Sequence, residues 1–182
     1  MSETAQGTAA DAAGKKIMAE ISNMPANDLT GKYLTFKLLG EEYGLEILKV
    51  REIIGLLPIT NLPKTPSFVR GVINLRGKVI PVIDLRLKFE MEATADTEQT
   101  CIIVVDVKGT SGNNVQIGIL VDSVSEVLDI KGQDIEDAPS FGTNVDTAFI
   151  LGMAKAKGSV KILLNIEKVL SSSELEHVSS LT

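Results

Sequence analysis

The chain repeats itself, and the repeat restricts the fold more than any single motif does. Residues 44–54, with Val50, Glu52 and Ile53, match 118–128, with Val124, Glu126 and Val127. Pro66-Ser67-Phe68 matches Pro139-Ser140-Phe141 at nearly the same spacing. Residues 71–89 match 152–170 without a gap, setting Gly71 against Gly152, Gly77 against Gly158, Val79 against Val160 and Asp84 against Asn165. The last block is spaced further from its copy, and the difference is absorbed at 142–150, which reads as a loop. Each match is near chance alone. Their common order implies a duplicated supersecondary unit and two similar halves.

The clearest part of the unit is a β-hairpin over 71–86. Val72, Ile73 and Leu75 lead into Arg76-Gly77, and Lys78, Val79, Ile80, Val82 and Ile83 lead out. β-branched runs on both sides of a glycine that tolerates positive φ are what such a turn needs. Pro81 has no amide to give a ladder, which predicts an edge strand or a bulge there. Asp84 suits the N-cap of a short helical turn. Upstream, 33–38 and 43–47 read as strands around a turn at Gly40-Glu41. Residues 47–54 have an apolar stripe whose β-branched content leaves helix and strand balanced. Pro58, Pro63 and Pro66 mark a connection.

Short strands at close spacing, with no long amphipathic helix, favour small antiparallel barrels. The first barrel is expected over 32–95 and the second over 100–165, within a unit of 32–170. A flexible tail over 1–31 and a terminal helix over 171–182 flank it. Halves of about 65 residues bury too little surface to be stable alone, so the two should share an apolar core and unfold together.

Composition removes whole classes of function. A net charge of −6 and a pI near 4.9 argue against a nucleic-acid or anionic-membrane partner, which reward Lys/Arg clusters. Apolar runs are far too short to span a bilayer, and the first 30 residues contain no signal-peptide core. Cys101 is the single cysteine, so no intrachain disulfide forms; its apolar run makes it a core residue in a reducing cytoplasm. His177 is the single histidine and lies near the end of the chain, leaving none for a triad or a zinc site. Phosphate-binding, nucleophile-elbow and Cys-pair motifs are missing. Glu41-Glu42 points its side chains apart, and Asp106 lies in no parallel α/β pattern, so neither reads as a catalytic carboxylate.

A set of segments carries a resemblance. Gly71-Val72-Ile73-Asn74-Leu75-Arg76-Gly77 followed by Val82-Ile83-Asp84-Leu85-Arg86, together with Glu42-Tyr43-Gly44, 47–53, 66–68, 121–128 and 165–170, resembles the CheW-like family of chemotaxis coupling proteins. The resemblance implies an all-β fold of two pseudo-repeated five-stranded SH3-like β-barrels packed around a shared hydrophobic core, with short helical segments and a C-terminal helix. It also implies a non-catalytic adaptor, with no cofactor or metal, that couples chemoreceptors (methyl-accepting chemotaxis proteins) to the histidine kinase CheA. The protein would be cytoplasmic and recruited to membrane-associated receptor arrays. One barrel end would meet the kinase's regulatory domain, and the groove between barrels would take the cytoplasmic hairpin tip of the receptor. Carried over residue by residue, receptor contact falls on Val50, Gly71, Arg76, Val124 and Val127, and kinase contact on Ile47 and Gly55. A CheW-like scaffold of an array controlling pili or development would share these features.

Arg76 is the residue in the hairpin that the fold does not require. Glu52 and Arg76 have counterparts of the same charge in Glu126 and Lys157, and this repetition predicts a structural ion pair between Glu52 and Arg76.

Overall fold

A computed structural model describes residues 29–92, 94–138 and 147–181. Among these, eleven strands run in order: β1 (Gly31–Leu38), β2 (Glu41–Glu46), β3 (Val50–Gly55), β4 (Val69–Leu75), β5 (Lys78–Asp84), β6 (Cys101–Lys108), β7 (Asn114–Val121), β8 (Ser123–Ile130), β9 (Ile135–Glu136), β10 (Ile150–Ala156) and β11 (Ser159–Leu164). Short helices α1 (Leu85–Lys88) and α2 (Ile166–Val169) follow β5 and β11, and α3 (Ser172–Ser179) ends the chain. The expected tail falls, up to residue 28, outside the described residues, and Gly31 already belongs to β1.

Local chemistry explains the hairpins. Leu39-Gly40, Arg76-Gly77 and Lys157-Gly158 are two-residue turns with both φ angles positive, near +50° at the first residue and +80° at the second. That is the type I′ geometry whose twist suits a two-residue hairpin loop. Residues 47–54 resolve into both alternatives, a 3₁₀ turn at Ile47–Lys49 and then β3. Asp84 and Asn165 cap α1 and α2 through side-chain oxygens that accept from Arg86 N–H and Glu167 N–H. Ser171 and Glu174 form a reciprocal capping box on α3.

The sheets are not built from contiguous halves. One has the order β8-β1-β2-β11-β10-β9 and the other β3-β6-β7-β5-β4. Each therefore combines the first hairpin of one copy with three or more strands of the other: the two SH3-like barrel halves fit these two sheets, which exchange β1–β2 for β6–β7 instead of following the expected bounds 32–95 and 100–165. The 3₁₀ turn at Ile47–Lys49 carries the chain from one sheet to the other, and Asp122, between β7 and β8, carries it back. The exchange is sealed by parallel pairs, β2 with β11 and β5 with β7. At these seams Gly44 and its counterpart Gly118 leave room that a Cβ would fill, 2.8 Å from Leu163 Cδ2 and from Ile102 Cγ2.

Pro81 is also placed differently from the expectation. β5 is interior, between β4 and β7, but its ladder to β7 begins only at Val82, so the missing amide costs no sheet bond.

Among the described residues, three apolar clusters follow from the period of two along the strands. Ile102, Val104 and Leu120 face the interior of their own sheet with Ile73, Ile80 and Val82. Tyr33, Leu128, Ile130, Ala154 and Leu163 fill the other. The alternate residues Leu34, Phe36 and Leu38 of β1 and Ile103, Val105 and Val107 of β6 meet in a larger cluster between the sheets, closed by Val169, Leu175 and Val178. Phe36, Tyr43, Phe89 and Phe149 stack in sequence through this shared core, with ring centroids 5.9, 6.2 and 4.8 Å apart. Cys101 packs against its edge, and burial pushes the thiol pKa up, which makes it a poor nucleophile.

Candidate functional site

The surface chemistry of the molecule is arranged in duplicate. Arg76, at the first position of its turn, donates from Nη2 to Glu52 Oε1 on β3. Lys157, at the same position of its own turn, lies 2.8 Å from Glu126 Oε2 on β8. β3 and β8 are terminal strands of their sheets, so each pair bridges from an edge strand to the tip of the hairpin at the far side. Ile53, next to Glu52 on β3, and Val79, on β5 after the Arg76 turn, stand exposed, as do their repeat counterparts Val127 and Val160. An exposed ion pair contributes roughly 0.2 to 1 kcal/mol, too little to explain the fold but enough to hold a surface in shape.

Two hollows lie beside the segments where the chain crosses between sheets. The first, of about 150 Å³, is lined by Leu29, Lys32, Tyr33, Glu46, Ile47 and Leu48. The second, open and of about 510 Å³, is lined by Lys37, Gln99, Cys101, Ser123, Val124 and Ser125. Leu29 and Gln99 stand two residues ahead of β1 and β6, but the other walls differ: Glu46, Ile47 and Leu48 close the first hollow, while Lys37 and Ser123–Ser125, the latter the counterparts of Lys49–Arg51, close the second. They share no residue and differ in character. The first presents Leu48, 92% exposed on a turn that is otherwise half-buried, while the second is polar around one valine.

The residues singled out in the sequence fall into three groups. Arg76 and Val127 are exposed, and Gly55 is exposed at the end of β3. Val50, Val124 and Ile47 are half-buried against the shared core, and of these Ile47 lines the first hollow and Val124 the second. Gly71 is buried with φ +141°, and a Cβ there would lie 2.0 Å from the Thr60 carbonyl oxygen, so it is a backbone requirement. Sequence reasoning passed over Leu48, because an apolar residue in a mixed helix-or-strand stripe carries no sign of which way it faces.

Arg86 was also missed as a structural centre. It is fully buried, with Nε 3.0 Å from Asp84 Oδ1 and Nη2 2.9 Å from Asp84 Oδ2, and Nη1 2.9 Å from Asp122 Oδ1. The bonds it donates to Asp84 hold the guanidinium pKa above its usual value in spite of the desolvation, so it stays charged. Among the described residues no group of His, Cys, Asp and Glu is arranged to hold a metal ion. No helix among them is long and apolar enough to cross a membrane.

Comparison with known proteins matches this architecture. The family model described as CheW-like domain matches residues 32–174. Chemotaxis protein CheW of Klebsiella aerogenes is 39% identical over 163 residues, covering 90% of this chain and 95% of that protein. Chemotaxis protein CheW of Rhizobium meliloti is 34% identical over 143 residues, 79% of this chain and 89% of that one. Among solved structures, the scaffolding protein TtCheW from Thermoanaerobacter tengcongensis superposes with a TM-score of 0.69 at 36% identity, covering 80% of this chain and 97% of that chain.

Proposed function

This chain belongs to the CheW-like domain family, and from that premise we propose that it is the non-catalytic adaptor of a chemotaxis signalling array, coupling chemoreceptors to the histidine kinase CheA. An adaptor needs two partner surfaces that do not compete. The observation that carries the reading is the pair of hollows beside the two crossing segments, without a shared residue and of unlike chemistry.

The kinase's regulatory domain meets the apolar hollow in this reading. Leu48 is the apolar side chain offered to a partner there, with Ile47 beneath it and Gly55 at the far end of β3. An exposed leucine on a rigid turn is the kind of anchor that an apolar interface buries at its centre. The receptor's helical hairpin tip meets the surface of Val124 and Val127 on β8 and of Val50 and Arg76 on the other sheet. Arg76 brings a planar fork already oriented by Glu52. Gly71 acts there only through the backbone it permits. Recruitment to the array follows from these contacts, with no membrane insertion.

The experiment is a set of binding titrations with a soluble receptor signalling fragment and the kinase regulatory domain, separately and together. The protein should hold both at once. Leu48→Glu should weaken kinase binding by tenfold or more, about 1.4 kcal/mol, and spare the receptor, with Arg76→Ala doing the reverse. Competition between the two partners for the wild-type protein would remove the two-surface reading.

A further inference from the structure

We infer that Asp122 and Glu167 are positioning residues for the two partner surfaces, Asp122 for the hollow at Val124 and Glu167 for the hollow at Leu48; the inference rests on the adaptor reading above. Each carboxylate makes the same two kinds of bond. Asp122 Oδ1 accepts from Arg86 Nη1 at 2.9 Å, and its Oδ2 accepts from Leu39 N–H at 2.7 Å. Glu167 Oε1 accepts from Lys49 Nζ at 3.0 Å, and its Oε2 accepts from Lys108 N–H at 2.9 Å.

The groups these bonds join belong to the exchanged hairpins, the crossing segments and the two short helices. Leu39 follows β1 and Lys108 ends β6, so each carboxylate holds the tip of one exchanged hairpin. Asp122 and Lys49 lie on the two segments where the chain passes between sheets, immediately before Ser123-Val124 and immediately after Leu48. Arg86 and Glu167 lie on α1 and α2, at equivalent positions of the repeat. The arrangement is thus duplicated with the charges reversed: the helix supplies the base and the crossing segment the acid in one clasp, and the helix supplies the acid and the crossing segment the base in the other. Two unlike solutions of one geometric task, at equivalent places, indicate that the task is to hold the crossing segment against the opposite sheet. A carboxylate with both oxygens occupied by charge-assisted bonds has little freedom to shift, and neither has the turn it carries. The side chains next to it, Val124 and Leu48, are those through which the partners are proposed to bind.

The test uses the full chain, with Asp122→Asn and Glu167→Gln, each of which turns one acceptor oxygen into a donor facing a donor. Titration with the receptor fragment should show an affinity about tenfold lower for Asp122→Asn and kinase binding within about twofold of wild type, with Glu167→Gln giving the opposite split. Lys49→Met should copy Glu167→Gln, and Lys49→Arg should restore kinase binding, a rescue that a general loss of stability would not show. Folded variants with wild-type affinities, or with equal losses for both partners, overturn the inference. If Asp122→Asn does not fold, the Lys49→Met and Lys49→Arg pair decides it, and absence of rescue counts against it. Should the wild-type protein bind neither partner, the adaptor reading fails first. The amide shifts of Val124 in Asp122→Asn and of Leu48 in Glu167→Gln then still report on the clasps, and unmoved shifts overturn them.

Discussion

Phe149 stands in the second copy where Phe68 stands in the first. The Phe68 carbonyl accepts from Asp84 N–H at 2.8 Å, and the Phe149 carbonyl accepts from Asn165 N–H at 2.7 Å. The preceding turns agree, with Val69 N–H donating to Pro66 and Ile150 N–H to Thr147, both at 3.0 Å. The spacing of the hairpin block therefore extends back to Pro66 and Thr147, and the match of 66–68 to 139–141, whose second member lies outside the described residues, is not the one the hydrogen bonds follow. A symmetric architecture with exchanged hairpins has consequences that measurement can reach.

Neither half should fold alone. A fragment ending near residue 95 keeps β1–β2 and β3–β5 but loses the strands both groups pair with, leaving unpaired edges and half of the shared core. Fragments 1–95 and 96–182 should be unstructured separately by circular dichroism and regain β structure when mixed. The intact chain should show one urea transition by every probe. Two separate transitions would contradict the shared core.

Gly71→Ala should cost more than about 3 kcal/mol in urea unfolding, because a left-handed φ of +141° is combined with a Cβ placed 2.0 Å from Thr60 O. Gly77→Ala, also at positive φ but with open space around the Cβ, should cost only about 1 kcal/mol. Equal costs at the two sites would show that the contact with Thr60 is not decisive.

The Glu52–Arg76 pair should show a coupling of roughly 0.2 to 1 kcal/mol in a double-mutant cycle on stability, since the arginine side chain is 71% exposed. The coupling should shrink as salt is raised. Strict additivity of Glu52→Ala and Arg76→Ala on stability and on receptor binding would mean that the two side chains do not cooperate.

Acid should loosen α3. Burial would raise the Glu174 carboxyl, but the bonds from Lys88 and Ser171 outweigh it and hold the group below its usual value. A carboxyl depressed in the folded state stabilises above its unfolded pKa and loses that contribution as the pH falls through the folded value. With Lys88 Nζ 2.7 Å from Oε2 and the side chain a quarter exposed, the contribution is at most about 1 kcal/mol. Glu174→Gln should be less stable than wild type by that amount near neutral pH, and the difference should close below about pH 4. A difference independent of pH would assign the effect to the capping box alone.

Hairpins, turns and helix caps were legible in the one-dimensional pattern because each depends on neighbours in the chain. Type I′ turns need a residue pair that tolerates positive φ, and a cap needs Asp, Asn or Ser at one position, so 76–77 and Asp84 announce themselves and the repeat carries them to 157–158 and Asn165. Charges repeated at Glu52, Arg76, Glu126 and Lys157 let the Glu52–Arg76 pair be anticipated without knowing which sheet held it, and the Glu126–Lys157 pair is its counterpart in the structure. Only the tertiary structure decided the exchange of hairpins. When two halves are alike, β2 meets an equivalent edge in either copy, and backbone hydrogen bonds carry no residue label to choose between them. The same non-local packing turned Ile47 inward and Leu48 outward, took Pro81 into an interior strand just ahead of its ladder, and buried Arg86 among carboxylates from different segments. Each of these depends on which distant surface arrives beside the residue.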